Sequence, residues 1–177
     1  ATLDNLLNSG LWSFIRQKPF SRVPHYKSTP KSIFISAMPT EPFAIDNTFL
    51  FDKYKFLQEG IDSLKKIFNC DINMSVSNNS FSFLNNVKFS EFNMLHPAGN
   101  VGVQIHHIDP INKGDIIWYF SPQDVITIAR FFKDGKYDAS KIIALTGSSV
   151  KRPRYHRIIQ GMSIDKIIDD NLVEGDK

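Results

Sequence analysis

A strongly β-prone run, Ile-Ile-Trp-Tyr-Phe at residues 116–120, runs without a linker into a complete helix-start signal, Ser121-Pro122-Gln123-Asp124. Branched and aromatic side chains suit a pleated, half-buried surface, so the run favours a strand. In the second segment Ser121 is the N-cap and Pro122 sits where a missing N–H costs nothing. Asp124 complements the positive end of the helix dipole. A strand feeding straight into a helix is half of a crossover unit, the building block of layered α/β folds.

The rest of the chain repeats that alternation. Val125, Ile128, Ala129 and Phe132 form the buried face of the helix that Ser121 starts, and Gly135 ends it. Upstream, residues 32–36 are a short apolar run between Pro30 and Pro39, as a buried strand is. Phe51, Tyr54, Leu57, Ile61, Leu64 and Phe68 recur at steps of three and four, which predicts an amphipathic helix with Asp52 near its positive end. Residues 72–76 and 87–94 read as strands separated by turn chemistry at 77–80, and a glycine-containing segment then opens a helix that stops before Pro110. Residues 142–146 read as another buried strand, ended by Gly147, and 154–160 as an antiparallel edge. At the ends, Thr2 caps a short helix closing near Gly10. Residues 11–16 add a turn before Pro19, and Ser163 caps a last helix over 164–168, beyond which the tail from Asp169 is polar.

Together these elements predict a Rossmann-like three-layer α/β/α domain with a mainly parallel sheet. The expected division is a helical and linker segment at 1–30, the α/β domain at 31–162, and a short helix with its tail at 163–177. The chain opens with Ala1 and enters a helical pattern at once, so it reads as a piece truncated from a longer multidomain protein.

Composition removes several classes of function. A net charge of +3 is too mild for a nucleic-acid binder, which concentrates a basic face. One cysteine, Cys70, excludes an internal disulfide and any zinc or iron–sulfur site built from several cysteines of this chain. Its acidic neighbour Asp71 disfavours a reactive thiolate. No apolar run approaches the roughly 20 residues that span a bilayer, so membrane association is expected only through partners. Fifteen Phe residues suggest a dense aromatic core or an apolar surface that meets a partner.

The segment with chemical potential is 96–110. Gly99 and Gly102 stand three apart at a strand-to-helix junction, where glycine lets backbone N–H groups approach an anion. They are a weak substitute for the dinucleotide fingerprint, which is absent after the first strand: Ala-Met-Pro-Thr-Glu-Pro stands at 37–42. His96 and His106 raise the question of zinc. However, the adjacent His106 and His107 point about 100° apart on a helix, and no His-Glu-x-x-His motif is present. No Gly-x-Ser-x-Gly elbow marks a nucleophile, and no catalytic residue is assigned. Two basic and aromatic patches complete the inventory. One holds Trp12, Arg16, Lys18, Phe20 and Arg22; the other holds Lys151, Arg152, Arg154, Tyr155, His156 and Arg157. Either suits an aromatic ligand, a headgroup or a partner protein.

Several short words also occur in a distinctive order. They are Ser9-Gly-Leu-Trp12 with Arg16 and Pro19-Phe20-Ser21, Lys31-Ser-Ile-Phe-Ile-Ser-Ala37, and Gly60-Ile-Asp62. There follow His96-Pro-Ala-Gly99 with Gly102 and His106, Gln123-Asp-Val125, Ala144-Leu-Thr-Gly147, Pro153-Arg154 and Gly161. In these the chain resembles, nearly end to end, the NqrA family of the sodium-translocating NADH:quinone reductases. That family is similar in domain organisation to the flavoprotein of respiratory complex I and to the RnfC component of the Rnf complex. The resemblance implies the middle domain of a peripheral component on the cytoplasmic face of the bacterial inner membrane. Its partners would be the other components of the sodium pump, the membrane-embedded NqrB above all. NADH, flavins, an iron–sulfur centre and ubiquinone would lie on or near those other components, with no cofactor bound by this chain. The segment with Trp12, Arg16, Lys18, Phe20 and Arg22 is then expected to face the membrane partner or the quinone entrance. The alternative is an FMN- or nucleotide-binding domain that uses the Gly99–Gly102 loop.

Overall fold

Ser121 and Thr2 both cap helices as their positions suggest. The Ser121 hydroxyl accepts the Asp124 N–H at 3.2 Å, and Thr2 accepts the Asn5 N–H at 3.3 Å. The computed structural model describes residues 2–47, 54–78, 81–168 and 170–173. In order these form α1 (Leu3–Asn8), a 3-10 turn (Leu11–Phe14), β1 (Arg16–Lys18), β2 (Ser32–Ser36), α2 (Tyr54–Phe68), β3 (Asp71–Val76) and β4 (Lys88–Glu91). Then come α3 (Val101–Ile108), β5 (Ile117–Phe120), α4 (Pro122–Asp134), β6 (Ser140–Leu145), β7 (Arg154–Ile159) and α5 (Asp165–Ile168). Phe51 and Asp52, assigned from the sequence to the start of the α2 helix, lie outside the described residues.

The main sheet has the order β1-β5-β2-β3-β4. β2 runs parallel to both β5 and β3, and β4 runs parallel to β3. β1 is antiparallel to β5 and forms one edge. This is the mainly parallel α/β sheet that the alternation of strands and helices predicts. Period-two alternation decides which side chain meets which layer. Ile33, Ile35, Met74, Trp118 and Phe120 turn to the large apolar cluster with Leu57, Ile61 and Leu64 of α2 and Val125 and Ile128 of α4. Phe34 and Ile117 turn the other way and meet Val101 and Ile105 of α3. α2 and α4 pack closely because Gly60 has no side chain: a Cβ there would lie 2.5 Å from the Val125 carbonyl oxygen.

Residues before 30 are built into the same body. Leu6, Leu11, Trp12, Phe14 and Ile15 all lie in the large apolar cluster. The turn expected over 11–16 is shorter than expected, because buried Ile15 is extended (φ −69°, ψ 134°) and Arg16 begins an edge strand.

Residues 142–146 are not a fully buried strand, and 154–160 do not form an edge of the main sheet. β6 is half-buried, and it pairs with β7 in a separate two-stranded antiparallel sheet. The main sheet's antiparallel edge is β1. β1 occupies the outer side of β5, and a side chain of α4 holds β6 instead. Gln123 Oε1 accepts the Ile142 N–H at 2.9 Å and its Nε2 donates to the Ile142 carbonyl at 3.1 Å, so a side chain takes the place of a neighbouring strand. Asp124 adds an ion pair to Lys141 at 3.0 Å, and Arg130 pairs with Asp138 at 2.6 Å.

Candidate functional site

In open α/β sheets ligands bind beyond the carboxyl ends of the strands, where successive crossovers leave on opposite faces. Here that point lies between β2 and β5, since α2 packs on one face and α3 on the other. The segment 96–106 lies at that end. β1 lies beyond β5 and runs antiparallel to it, so Arg16 is near the carboxyl ends of the parallel strands and Lys18, Phe20 and Arg22 are toward their amino ends.

On the α3 side the chain fills the crevice itself. Buried Gly99 donates its N–H to Thr40 Oγ1 at 2.8 Å, and its carbonyl accepts the Ser36 hydroxyl at 3.1 Å. Buried Gln104 donates from Nε2 to Ser36 Oγ at 2.9 Å and to the Ala98 carbonyl at 2.8 Å. A Cβ on Gly99 would meet Thr40 Oγ1 at 2.3 Å and the Met38 carbonyl oxygen at 2.5 Å. The glycine thus permits close approach to the protein's own backbone, and its donor is engaged. Gly102 is exposed, and its N–H goes to Asn100 Oδ1, the α3 cap, at 3.0 Å.

His96 and His106 are both exposed. His106 stacks edge-on against His107 with centroids 5.3 Å apart, and among the described residues no group of three or more His, Cys, Asp or Glu is placed to hold a metal. It is His107 that joins His96, together with Phe92, Leu95, Pro97 and Val103, around an open cavity of about 550 Å³.

On the β1 side the named residues separate into two groups. Trp12 faces inward: it is buried, its indole N–H donates to the Pro24 carbonyl at 2.8 Å, and its ring packs edge-on against Trp118 at 5.3 Å. Its neighbours in sequence, not its own ring, make the surface. Arg16 lies opposite Tyr119 and Lys18 opposite Ile117, so both cations sit on the sheet face that carries α3, and α3 covers that face over Phe34 and Ile117. Arg16 Nη1 donates to the Ser13 carbonyl and, at 3.0 Å, to that of Ile15. Lys18 Nζ stands 5.6 Å above the Tyr119 ring, and partial burial lowers its pKa from the ordinary lysine value. Burial, helped by the carboxylates of Asp124 and Glu41, pushes the Tyr119 phenol up to about 12, so it remains a neutral donor throughout the physiological range. Phe20 and Arg22 are exposed beyond the end of β1.

Tyr119, Thr40 and Gln123 are the residues that sequence reasoning missed. Tyr119 lay within a run read only for its β propensity. The second basic patch is largely tied into the β6–β7 sheet. Arg157 donates to Ser140 Oγ at 3.1 Å, the Tyr155 hydroxyl accepts the Asp46 N–H at 3.0 Å, and Arg154 donates to His156 Nε2 at 3.3 Å. The Cys70 thiol is pushed up by burial, which keeps it protonated and unreactive.

Residues 1–137 match the family model described as the NqrA second alpha/beta domain, and residues 142–177 match the NQRA C-terminal domain. The chain is 36% identical to the NqrA of the Na(+)-translocating NADH-quinone reductase of Marinomonas sp. (strain MWYL1), over 98% of its length and 40% of that protein. It is 35% identical to the corresponding protein of Glaesserella parasuis serovar 5 (strain SH0165), over 97% of the chain and 40% of the relative. With that of Haemophilus influenzae (strain PittGG) the figures are 35%, 97% and 39%. The chain therefore spans about two-fifths of the length of these curated relatives.

Proposed function

Because the chain belongs to the NqrA family of the Na(+)-translocating NADH-quinone reductases, we propose that it is an interaction module of a redox-driven sodium pump. In this reading it carries no electron carrier of its own. The observation that carries it is the sheet face bearing Arg16, Lys18 and Tyr119, which continues into exposed Phe20 and Arg22. An exposed aromatic ring beside cationic donors suits both a partner protein and a quinone head with its carbonyls. The partner in this proposal is the membrane-embedded NqrB, met at the cytoplasmic face. Among the described residues no helix is long and apolar enough to cross a membrane. The two family matches, over residues 1–137 and 142–177, support a division of the chain between those ranges.

The His96–Gly99 loop serves architecture in this account, since the N–H an anion would need is given to Thr40. Photolabelling of the intact complex with a quinone probe tests the proposal. Label within residues 16–22 supports it, and complete absence of label there argues against quinone proximity. Titration with FMN and NADH separates it from a nucleotide-binding domain: micromolar binding by this chain would overturn the carrier-free reading.

A further inference from the structure

Phe20 is the most exposed large apolar side chain among the described residues, at 81%. It stands at the tip of an ordered turn. The Gln17 N–H donates to the Arg22 carbonyl at 2.7 Å, and Lys18 Nζ donates to Ser21 Oγ at 2.8 Å. An aromatic ring held out on a pre-ordered turn loses little conformational freedom when it binds, which is the property of an interface anchor. The outer edge of β1 is already bridged by its own chain through Gln17 and Arg22, so an incoming strand cannot extend the sheet there. Recognition at this tip is by side chains.

The charges around the tip define the partner. Arg16, Lys18, Arg22 and Lys27 surround it in sequence, and among the described residues none of them forms an ion pair with a carboxylate. Cations without a carboxylate partner among the described residues, beside a protruding aromatic ring, are complementary to a recess with an apolar floor and an acidic rim. Resting on the proposed function above, we infer that Phe20 inserts into an apolar pocket rimmed by Asp or Glu side chains on a partner protein of the complex, with Arg22 and Lys18 meeting the rim. A lipid surface is the poorer fit, because one ring on a turn buries far less apolar area than membrane anchoring by an amphipathic helix requires.

The test uses the full-length protein to which this chain belongs, together with the pump complex depleted of it. Phe20→Ala and Arg22→Glu change exposed side chains, so both variants should melt like the wild type. Affinity for the depleted complex should fall about 10-fold or more for Phe20→Ala. Wild-type affinity should weaken as salt rises from about 50 mM to about 300 mM, and Arg22→Glu should both weaken binding and flatten that dependence. Wild-type binding with both variants within about twofold of it would overturn the inference and leave the proposed function standing. Failure of the wild type to bind the depleted complex would overturn the function and the inference together. Loss of vesicle binding by Phe20→Ala, with affinity for the complex unchanged, would assign the tip to lipid and overturn the inference as well.

Discussion

Replacing Gly99 by alanine adds one methyl group where the structure has no room for it. An ideal Cβ would lie 2.3 Å from Thr40 Oγ1, 2.5 Å from the Met38 carbonyl oxygen and 3.1 Å from Thr40 Cβ. The hydroxyl could swing aside, but the Met38 carbonyl is main chain and accepts the Thr40 N–H at 3.1 Å. Relief therefore requires the loop to withdraw by about an ångström, which overstretches the Gly99–Thr40 and Ser36–Gly99 hydrogen bonds. Two hydrogen bonds at about 1 kcal/mol each, with an overpacking cost of about 1–3 kcal/mol, give a destabilisation of about 3–5 kcal/mol. Gly102 is the internal control, since a Cβ there meets only Asn100 Oδ1, at 3.4 Å. Gly102→Ala should fall between about 0.5 kcal/mol of loss and about 1 kcal/mol of gain, because alanine favours a helix over glycine. Urea unfolding followed by tryptophan fluorescence reads both, as Trp12 and Trp118 are buried in the core. Adding Thr40→Ala to Gly99→Ala should recover only part of the loss, because the Met38 carbonyl remains. If Gly99→Ala lies within about 0.5 kcal/mol of wild type, the loop is not seated as argued and the ligand-loop reading regains its force.

Gln123→Ala should remove both bonds to Ile142 and loosen β6 without unfolding α4, so hydrogen exchange of the Ile142 amide should quicken about 10- to 100-fold; unchanged exchange would mean that the hairpin is held elsewhere. Hydrogen bonds from Ser140, with Arg130 beside it, hold the Asp138 carboxyl below the ordinary carboxylate range. A depressed folded pKa gives stability that is complete above the unfolded value of about 3.9 and is lost as pH falls through the folded one. Asp138→Asn should therefore cost about 1 kcal/mol at neutral pH, limited by solvent on a carboxyl that is 31% exposed, and the gap to wild type should close in acid; a gap that persists there would contradict the assignment. Trp12→Phe should cost about 1–2 kcal/mol through the lost bond to Pro24 and leave assembly intact; weakened assembly at unchanged stability would place Trp12 on the surface after all.

What was legible in the sequence is what depends on neighbours along the chain. The Ser121 cap, Pro122 at the first helical position and the Gly135 stop all stand where expected, because each depends on residues within one turn. The apolar stripe of α2 was readable for the same reason. Trp12 was misplaced because its partners, Pro24, Phe68 and Trp118, come from three other segments. A Trp among cations looks the same in sequence whether its ring faces in or out. The separation of β6 from the main sheet was hidden likewise, since it depends on a side chain 19 residues away pairing with Ile142. Gly99 illustrates the middle case. Its junction was visible, but whether a glycine clears space for a ligand or for the chain itself depends on Thr40, 59 residues away.

We propose that residues 16–23 of this chain form a contact surface toward the other components of the pump. Hydrogen exchange of the full-length protein, free and within the assembled complex, measures it most directly. Assembly should slow exchange across residues 16–23 and leave the His96–Gly99 loop unchanged. Unaltered exchange at 16–23, with protection appearing at 96–107 on addition of FMN or NADH, would contradict it.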